Sequence, residues 1–376
     1  MKYPLLPYSQ LVFDMMQTDP DVYTYRGVLR ADKADVDVER LKQAIGTALL
    51  NHPAFRMVVD EQGMQHYDAQ ADPMHGQFYD VDIWEDETSV YATYRTNRIL
   101  GDAISGIVLV EDIVRAYQGL PLEPDNYLTY LQQMEGLKQS ARYLDDRQWL
   151  QEHFGNLQCP VYPKTDAPLC TEMTIEGMLA EDYSDLREAL RRMGSERLIT
   201  PTAFFSLASA LAMMEYNGTD EAALTWAYDG RETKEEQRIY GSLHRDIPFA
   251  IKANGRRNEW RTDELLRQTR RAMREGVAHS SFPFTLMPPH NAVWNYALNV
   301  LVQPAADDTV ALFPFEVEVQ PMDDERAGAY ALLDVEIYDS EALTIVYRYS
   351  AAHYKEESMR NFAALVRKYA EWLLNG

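Results

Sequence analysis

The sequence predicts a mixed α/β protein built as two lobes, and three observations lead there. The 376 residues suit two domains of ordinary size. Each half mixes segments of helical and strand periodicity. Between the halves, Gly155 to Pro168 carries Pro160, Pro163 and Pro168 with little periodicity and reads as a connector. The division that follows is an N-terminal lobe over 1–154, a connector over 155–170 and a C-terminal lobe over 171–376. Two α+β lobes with a site between them satisfy this pattern. The pattern alone leaves other two-domain arrangements open.

The elements follow in order. Val38, Leu41, Ile45, Ala48 and Leu49 share one helical face, with Asp37 placed to cap it and His52-Pro53 to end it. Phe55 to Val59 and Val90 to Tyr94 read as strands. Ile107, Val108, Val110, Ile113, Val114 and Tyr117 describe a broad buried helix face, stopped by Gly119 and Pro121. Tyr127 to Phe154 reads as helical. In the second half a strand is expected near Thr171 to Ile175 and a helix near Ser184 to Met193. Thr200-Pro201 forms a cap and first-turn pair for a helix ending at Asn217-Gly218. Strands fit Ala223 to Tyr228, Ile247 to Ile251, Tyr296 to Gln303, Leu312 to Val319, Ala329 to Tyr338 and Leu343 to Ser350. The last two are joined as a hairpin at Asp339-Ser340-Glu341. Helices fit Thr262 to Glu275 and Lys355 to Leu374.

Composition narrows the function. Hydrophobic residues make up 46% and charged residues 25%, enough apolar material for a core. No run approaches the roughly 18 apolar residues of a membrane span, and no signal peptide is expected. A net charge of −23 repels phosphate backbones and anionic lipid, which argues against nucleic acid and membrane as partners. Cys159 and Cys170 make no disulfide framework and lack a second ligand pair for zinc, so a cytoplasmic setting without a metal is expected. No Gly-x-Gly-x-x-Gly or Walker sequence points to nucleotide chemistry.

Chemistry concentrates at Asn97-Arg98-Ile99-Leu100-Gly101-Asp102-Ala103, where a polar cluster closes a strand and precedes an apolar helix. This segment resembles the His-His-x-x-x-Asp-Gly motif of peptide-synthetase condensation domains and related CoA-dependent acyltransferases. The aspartate is kept, while Asn97 and Arg98 stand at the histidine positions. The resemblance runs through Leu5-Leu6-Pro7-Tyr8-Ser9-Gln10, Val38 to Ala44, Asn51 to Arg56, and Ser105-Gly106-Ile107. It continues through Thr200-Pro201-Thr202, Tyr228-Asp229-Gly230-Arg231, Gly241 to Pro248 and Trp294-Asn295-Tyr296. It implies two chloramphenicol-acetyltransferase-like lobes with a central channel and an acyl-thioester ligand. CoA or a phosphopantetheine arm would be the carrier, with no tightly bound cofactor. Synthetase condensation domains are typically longer than this chain. With no adenylation or carrier segment beside it, the chain is expected to work alone or with a carrier protein in trans.

The substitutions bear on activity. In the family the second histidine is a base or organiser of the nucleophile. Arginine has no acceptor lone pair and cannot take a proton near neutrality. Three readings follow. The first is a non-catalytic module that binds an acyl-thioester or a partner enzyme, as recruitment-type domains with His-Arg-x-x-x-Asp-Asp do. The second is a heterocyclisation-like site using Asn97, Asp102 and Ser105. The third is an acyltransferase moving an acyl group to an amine or alcohol, with its base supplied by His244, His279 or His290. The resemblance assigns Asp102 a loop-shaping salt bridge, with Arg56 as the expected partner. Ser105, His290 and Asn295 are candidate ligand contacts, His290 near the channel mouth and Asn295 along its wall. Arg267, Arg270, Arg271 and Arg274 form one basic stripe, preceded by Lys252, Arg256, Arg257 and Arg261. Arg270 and Arg274 are candidates for holding a phosphate or an acidic carrier. The alternative is a solvated face paired with the protein's own acids.

Overall fold

Strand β1 (Lys2–Pro4) runs into helix α1 (Pro7–Met16), whose proline sits at the first helical turn, where its missing N–H is no loss. Strand β2 (Thr24–Asp32) leads to α2 (Val38–Asn51), capped as expected by Asp37, which accepts from the Arg40 amide at 3.1 Å. Strands β3 (Met57–Val59), β4 (Met64–Tyr67), β5 (His75–Gly76), β6 (Tyr79–Glu85) and β7 (Ser89–Asn97) precede α3 (Ala103–Tyr117). Helices α4 (Tyr127–Leu137) and α5 (Ala141–Phe154) follow, then β8 (Glu176–Asp182), α6 (Arg187–Arg197), α7 (Pro201–Asn217), β9 (Glu221–Tyr228) and β10 (Arg245–Lys252). The chain closes with α8 (Thr262–Ala278), β11 (Asn299–Val302), α9 (Ala306–Val310), β12 (Glu318–Pro321), β13 (Leu333–Asp339), β14 (Leu343–Ser350) and α10 (Glu356–Asn375). This computed structural model describes residues 1–376 other than 171–175, 254, 256–258, 288–297, 304–305 and 322–331.

The chain forms two compact units that interleave along the sequence. The first comprises Met1–Gln139, Asp229–His244 and Pro304–Ala327; the second comprises Ser140–Tyr228, Arg245–Gln303 and Gly328–Gly376. This differs from a single cut at 155–170, and pairing explains part of the difference. β12 lies far along the chain yet pairs antiparallel with β2, from Glu318 opposite Arg30 to Pro321 opposite Gly27.

In the first unit an antiparallel five-stranded sheet has the order β12-β2-β7-β6-β5, beside a small sheet β1-β4-β3. α2 buries Leu41, Ala44, Ile45, Ala48 and Leu49, so its predicted apolar face is its core face. α3 buries Val108, Ile113 and Val114, but also Ser105 and Asp112, two polar residues on the same face. In the second unit a mixed sheet has the order β10-β9-β11-β13-β14-β8. β9, β11 and β13 run parallel to their neighbours in that trio, and the outer pairs are antiparallel. α7 is buried on all sides from Ala203 to Met214, as a helix apolar all round must be. Thr200 caps it and Gly218 closes it at φ 71°.

Several expected bounds shift. Pro53 to Arg56 is a 3-10 turn, and only Met57–Val59 is strand. The helical stretch from Tyr127 is two helices, because the Ser140 hydroxyl starts a new one by accepting from the Tyr143 amide at 3.2 Å. Of Leu312 to Val319 only the end belongs to a strand, β12. The strand expected at 171–175 lies outside the described residues. No single described helix is long and apolar enough to cross a membrane.

Candidate functional site

The motif is set at the end of β7, in the first unit. Asn97 is buried, and its side chain is fully engaged. Its Nδ2 donates to the Val22 carbonyl at 2.7 Å and to Thr24 Oγ1 at 2.9 Å, while its Oδ1 accepts from the Ile99 amide at 2.9 Å. Asn97 therefore ties the start of β2 to the motif turn. Asn97→Ala strands these three polar partners in the interior and costs about 1–3 kcal/mol. A lower urea midpoint at unchanged slope is the expected reading.

Arg98 stands among tyrosines. Its amide donates to the Tyr23 carbonyl at 3.0 Å, and Tyr23 itself is held at φ 52°, an uncommon conformation for an aromatic residue. The guanidinium lies 5.7 Å from the Tyr8 ring centroid and 5.8 Å from that of Tyr23, within cation–π range. Its Nη1 is 3.4 Å from the Tyr25 hydroxyl. A cation cradled by aromatic faces binds and orients groups; it has no lone pair with which to take a proton.

Asp102 is a salt-bridge residue, but its partner is Arg231 and not Arg56. Arg231 Nη1 donates to Oδ2 and Nη2 to Oδ1, both at 3.0 Å, a bidentate pair with essentially no solvent contact. Oδ1 also accepts from the Ser105 amide at 3.0 Å, and Oδ2 from the amides of Leu243 at 2.9 Å and His244 at 3.2 Å. Burial pushes the Asp102 carboxyl up, and the Arg231 charge with these donors outweighs it, so the group lies below its ordinary range. Arg56 is turned elsewhere: its Nη2 donates to the Leu50 carbonyl at 3.1 Å and its guanidinium covers the Tyr67 ring at 4.9 Å.

Ser105 belongs to the same network. Asp102 and Ser105 form a capping box that starts α3, and the serine hydroxyl also accepts from the Gly241 amide at 3.1 Å. Gly101 is required here, since a Cβ would come within 2.8 Å of both the Ser105 Cβ and the Tyr240 ring. From the other side, Ser9 Oγ donates to the Ile99 carbonyl at 2.8 Å, so the Leu5 to Gln10 segment braces the motif turn.

Of the two described histidines considered as a base, His244 is the one placed beside the motif in the first unit. Its ring centroid is 4.0 Å from that of Tyr8, edge to face. Burial and then the Arg98 charge lower its basicity more than Asp102 raises it, and its pKa is pushed down to about 4. The imidazole is neutral at pH 7, and among the described residues its buried Nδ1 has no hydrogen-bond partner. His279, in the second unit, is held differently: Nδ1 lies 2.9 Å from Asp146 Oδ1 and the ring stacks on Trp149 at 4.3 Å. His290 and Asn295 lie outside the described residues.

The arginine stripe is confirmed as one face of α8, with some of its members engaged. Arg270 Nη1 donates to the Arg197 carbonyl at 2.8 Å, Arg271 pairs with Glu275 at 2.8 Å, and Arg274 Nε is 3.4 Å from the Arg270 carbonyl. Among the described residues no group of three or more His, Cys, Asp or Glu side chains is placed to hold a metal.

Sequence reasoning passed over the tyrosines around Arg98 and did not assign Arg231 to Asp102. Tyrosines are usually packing residues, and only Tyr8, inside the Leu5 to Gln10 segment, carried a local signal. It also passed over a buried cluster in which His52 lies between Asp112 and Asp125. There the signal was present: an aspartate on the apolar face of α3.

These features define a mixed α/β protein with a strand-end turn from Asn97 to Asp102, held by the buried Asp102–Arg231 pair. The sequence model of the family described as Condensation domain matches residues 83–374. The chain belongs to the condensation-domain family. The FR901469 synthetase of Dothideomycetidae sp. (strain 11243) is 27% identical over 225 residues, 57% of this chain and 1% of that protein. Among solved structures, the complex of the X-domain and OxyB from teicoplanin biosynthesis matches with TM-score 0.78 at 15% identity, over 100% of this chain and 93% of that one. The epimerization domain from the third module of tyrocidine synthetase B gives 0.75 at 15% identity, over 100% and 97%. The starter condensation domain of rhizomide synthetase RzmA gives 0.73 at 15% identity, again over 100% and 97%. At such identities the likeness is one of fold.

Proposed function

We propose that this condensation-family protein is a binding module, a pseudoenzyme that engages an acyl-thioester or a partner enzyme without catalysis by its motif. One observation carries the reading. At the two motif positions, the Asn97 amide is committed to Val22, Thr24 and Ile99, and Arg98 has no acceptor for a proton. The thioester would arrive on CoA or on a carrier protein, with no tightly bound cofactor. The X-domain of teicoplanin biosynthesis, seen in complex with OxyB, supplies a precedent of fold for binding a partner. The test is intact-mass and product analysis with a panel of acyl-CoAs and amine or alcohol acceptors. No turnover is expected from the native protein. Turnover that Arg98→Ala abolishes overturns the reading.

A second reading rests on His244. A neutral imidazole beside Tyr8 and Arg98 can accept a proton or orient an attacking hydroxyl or amine. In that case turnover is lost in His244→Ala. The native rate then rises with pH through about 4 and is level near neutrality.

A further inference from the structure

We propose that the end of α6 and the adjoining side of α8 form a docking surface for an acidic helix of a partner protein. The proposal deepens the binding reading and rests on it. Leu198 closes α6 in the left-handed conformation, at φ 53° and ψ 49°, a place where glycine is the usual residue. It is also 76% exposed, so a large apolar side chain is presented to solvent at a strained backbone position. The Arg270 hydrogen bond to the Arg197 carbonyl sets the arginine stripe directly beside it. Arg267, Arg270 and Arg274 fall on that face at i, i+3 and i+7. Arg267 and Arg274 are exposed and have no acidic partner among the described residues, whereas Arg271 is answered by Glu275 on its own helix.

This pattern selects the occupant. A free phosphate would engage the guanidinium groups and leave Leu198 unused. A helix with one apolar side chain flanked by glutamates one turn away on either side would meet both. The chain as a whole carries −23 and repels acidic partners at long range. At about 0.15 M salt the Debye length is about 8 Å, so distant acids are screened and the local cations decide.

The probe is a fluorescent amphipathic helical peptide with a central leucine flanked by glutamates, beside its Glu→Gln counterpart and CoA as competitor. The Glu peptide is expected to bind the native chain and to weaken about tenfold or more with Arg267→Glu plus Arg274→Glu. Leu198→Gly is expected to weaken binding while raising Tm by roughly 2–4 °C, because glycine relieves the left-handed strain. That opposite movement separates docking from stability. Equal affinity for the Glu and Gln peptides overturns the proposal, as does unchanged binding by the charge-reversed variant. Full displacement by CoA reassigns the face to free phosphate and overturns it too, and so does absence of peptide binding. Acyl-CoA turnover by the native protein would strike the binding reading instead and leave the peptide result standing.

Discussion

Asp102→Asn lowers the stability of the first unit by about 3–5 kcal/mol, the usual cost of leaving one member of a buried pair without its partner. The neutral amide removes the buried one of the two carboxylates that answer Arg231, leaving Asp229 at 2.7 Å, and turns a donor toward the amides of Leu243 and His244, which themselves donate. Arg231→Met should cost a similar amount, since it leaves the carboxylate buried and unpaired. The double variant should recover much of the loss, because two neutral groups of fitting volume have no charge to desolvate. A double-mutant cycle by urea unfolding reads the coupling directly. Arg56→Met is the control: it removes one bond to a carbonyl and one aromatic contact, worth about 1 kcal/mol. The acid dependence has a definite sign. The Asp102 pKa is depressed in the fold, so its contribution is present above the ordinary carboxylate range and is lost as pH falls through the depressed value. Additive single losses at pH 7 would dismiss the Asp102–Arg231 pair as a unit.

This pair shows where sequence reading stops. Local chemistry was legible. Asp37 caps α2, Thr200-Pro201 opens α7, and Asn217-Gly218 closes it, because each depends on residues a few positions apart. The place of the motif, between a strand end and a helix start, was legible for the same reason. The choice of Arg231 over Arg56 was not: the chain offers many arginines, and the bidentate partner stands 129 positions from Asp102. Only the fold brings the 239–244 segment to the motif, where its amides complete the carboxylate's shell. The interleaving of the units has the same origin. Four residues of β12 carry a weak local signal, and their strand character comes from the edge of β2. The tyrosines around Arg98 come from α1 (Tyr8), the turn before β2 (Tyr23) and β2 itself (Tyr25), so nothing in their spacing to Arg98 marks a cluster.

His52→Leu at pH 6 should cost about 3–5 kcal/mol, and that cost should shrink as pH rises. His52 has no solvent contact. Its Nδ1 lies 2.7 Å from Asp125 Oδ2. Its Nε2 lies 3.3 Å from Asp112 Oδ2, an ion-pair distance whose geometry falls short of a hydrogen bond. Asp112 also accepts from Asn51 Nδ2 at 3.0 Å and pairs with Arg238, which pairs in turn with Glu111. Asp125 accepts from the amides of Tyr127 at 2.8 Å and Tyr240 at 2.9 Å. Burial opposes charge on His52, and the two carboxylates overcome it, so its pKa stands above the ordinary 6.5. With His52 protonated, two cations face Asp112 and Asp125. With it neutral, the Nδ1–H still donates to Asp125 Oδ2, but among the described residues no cation faces that buried carboxylate. A raised histidine pKa stabilises the fold fully below its unfolded value, and the contribution is lost as pH climbs through the folded value. Asp112 has the opposite dependence, its depressed pKa contributing above the carboxylate range and failing in acid. The gap between native and His52→Leu stability should therefore be widest between these limits, near pH 5–6, and narrow on both sides. Urea midpoints taken across pH 4 to 9 measure it. A gap that stays level to pH 9 would mean that His52 acts through packing and not through its charge.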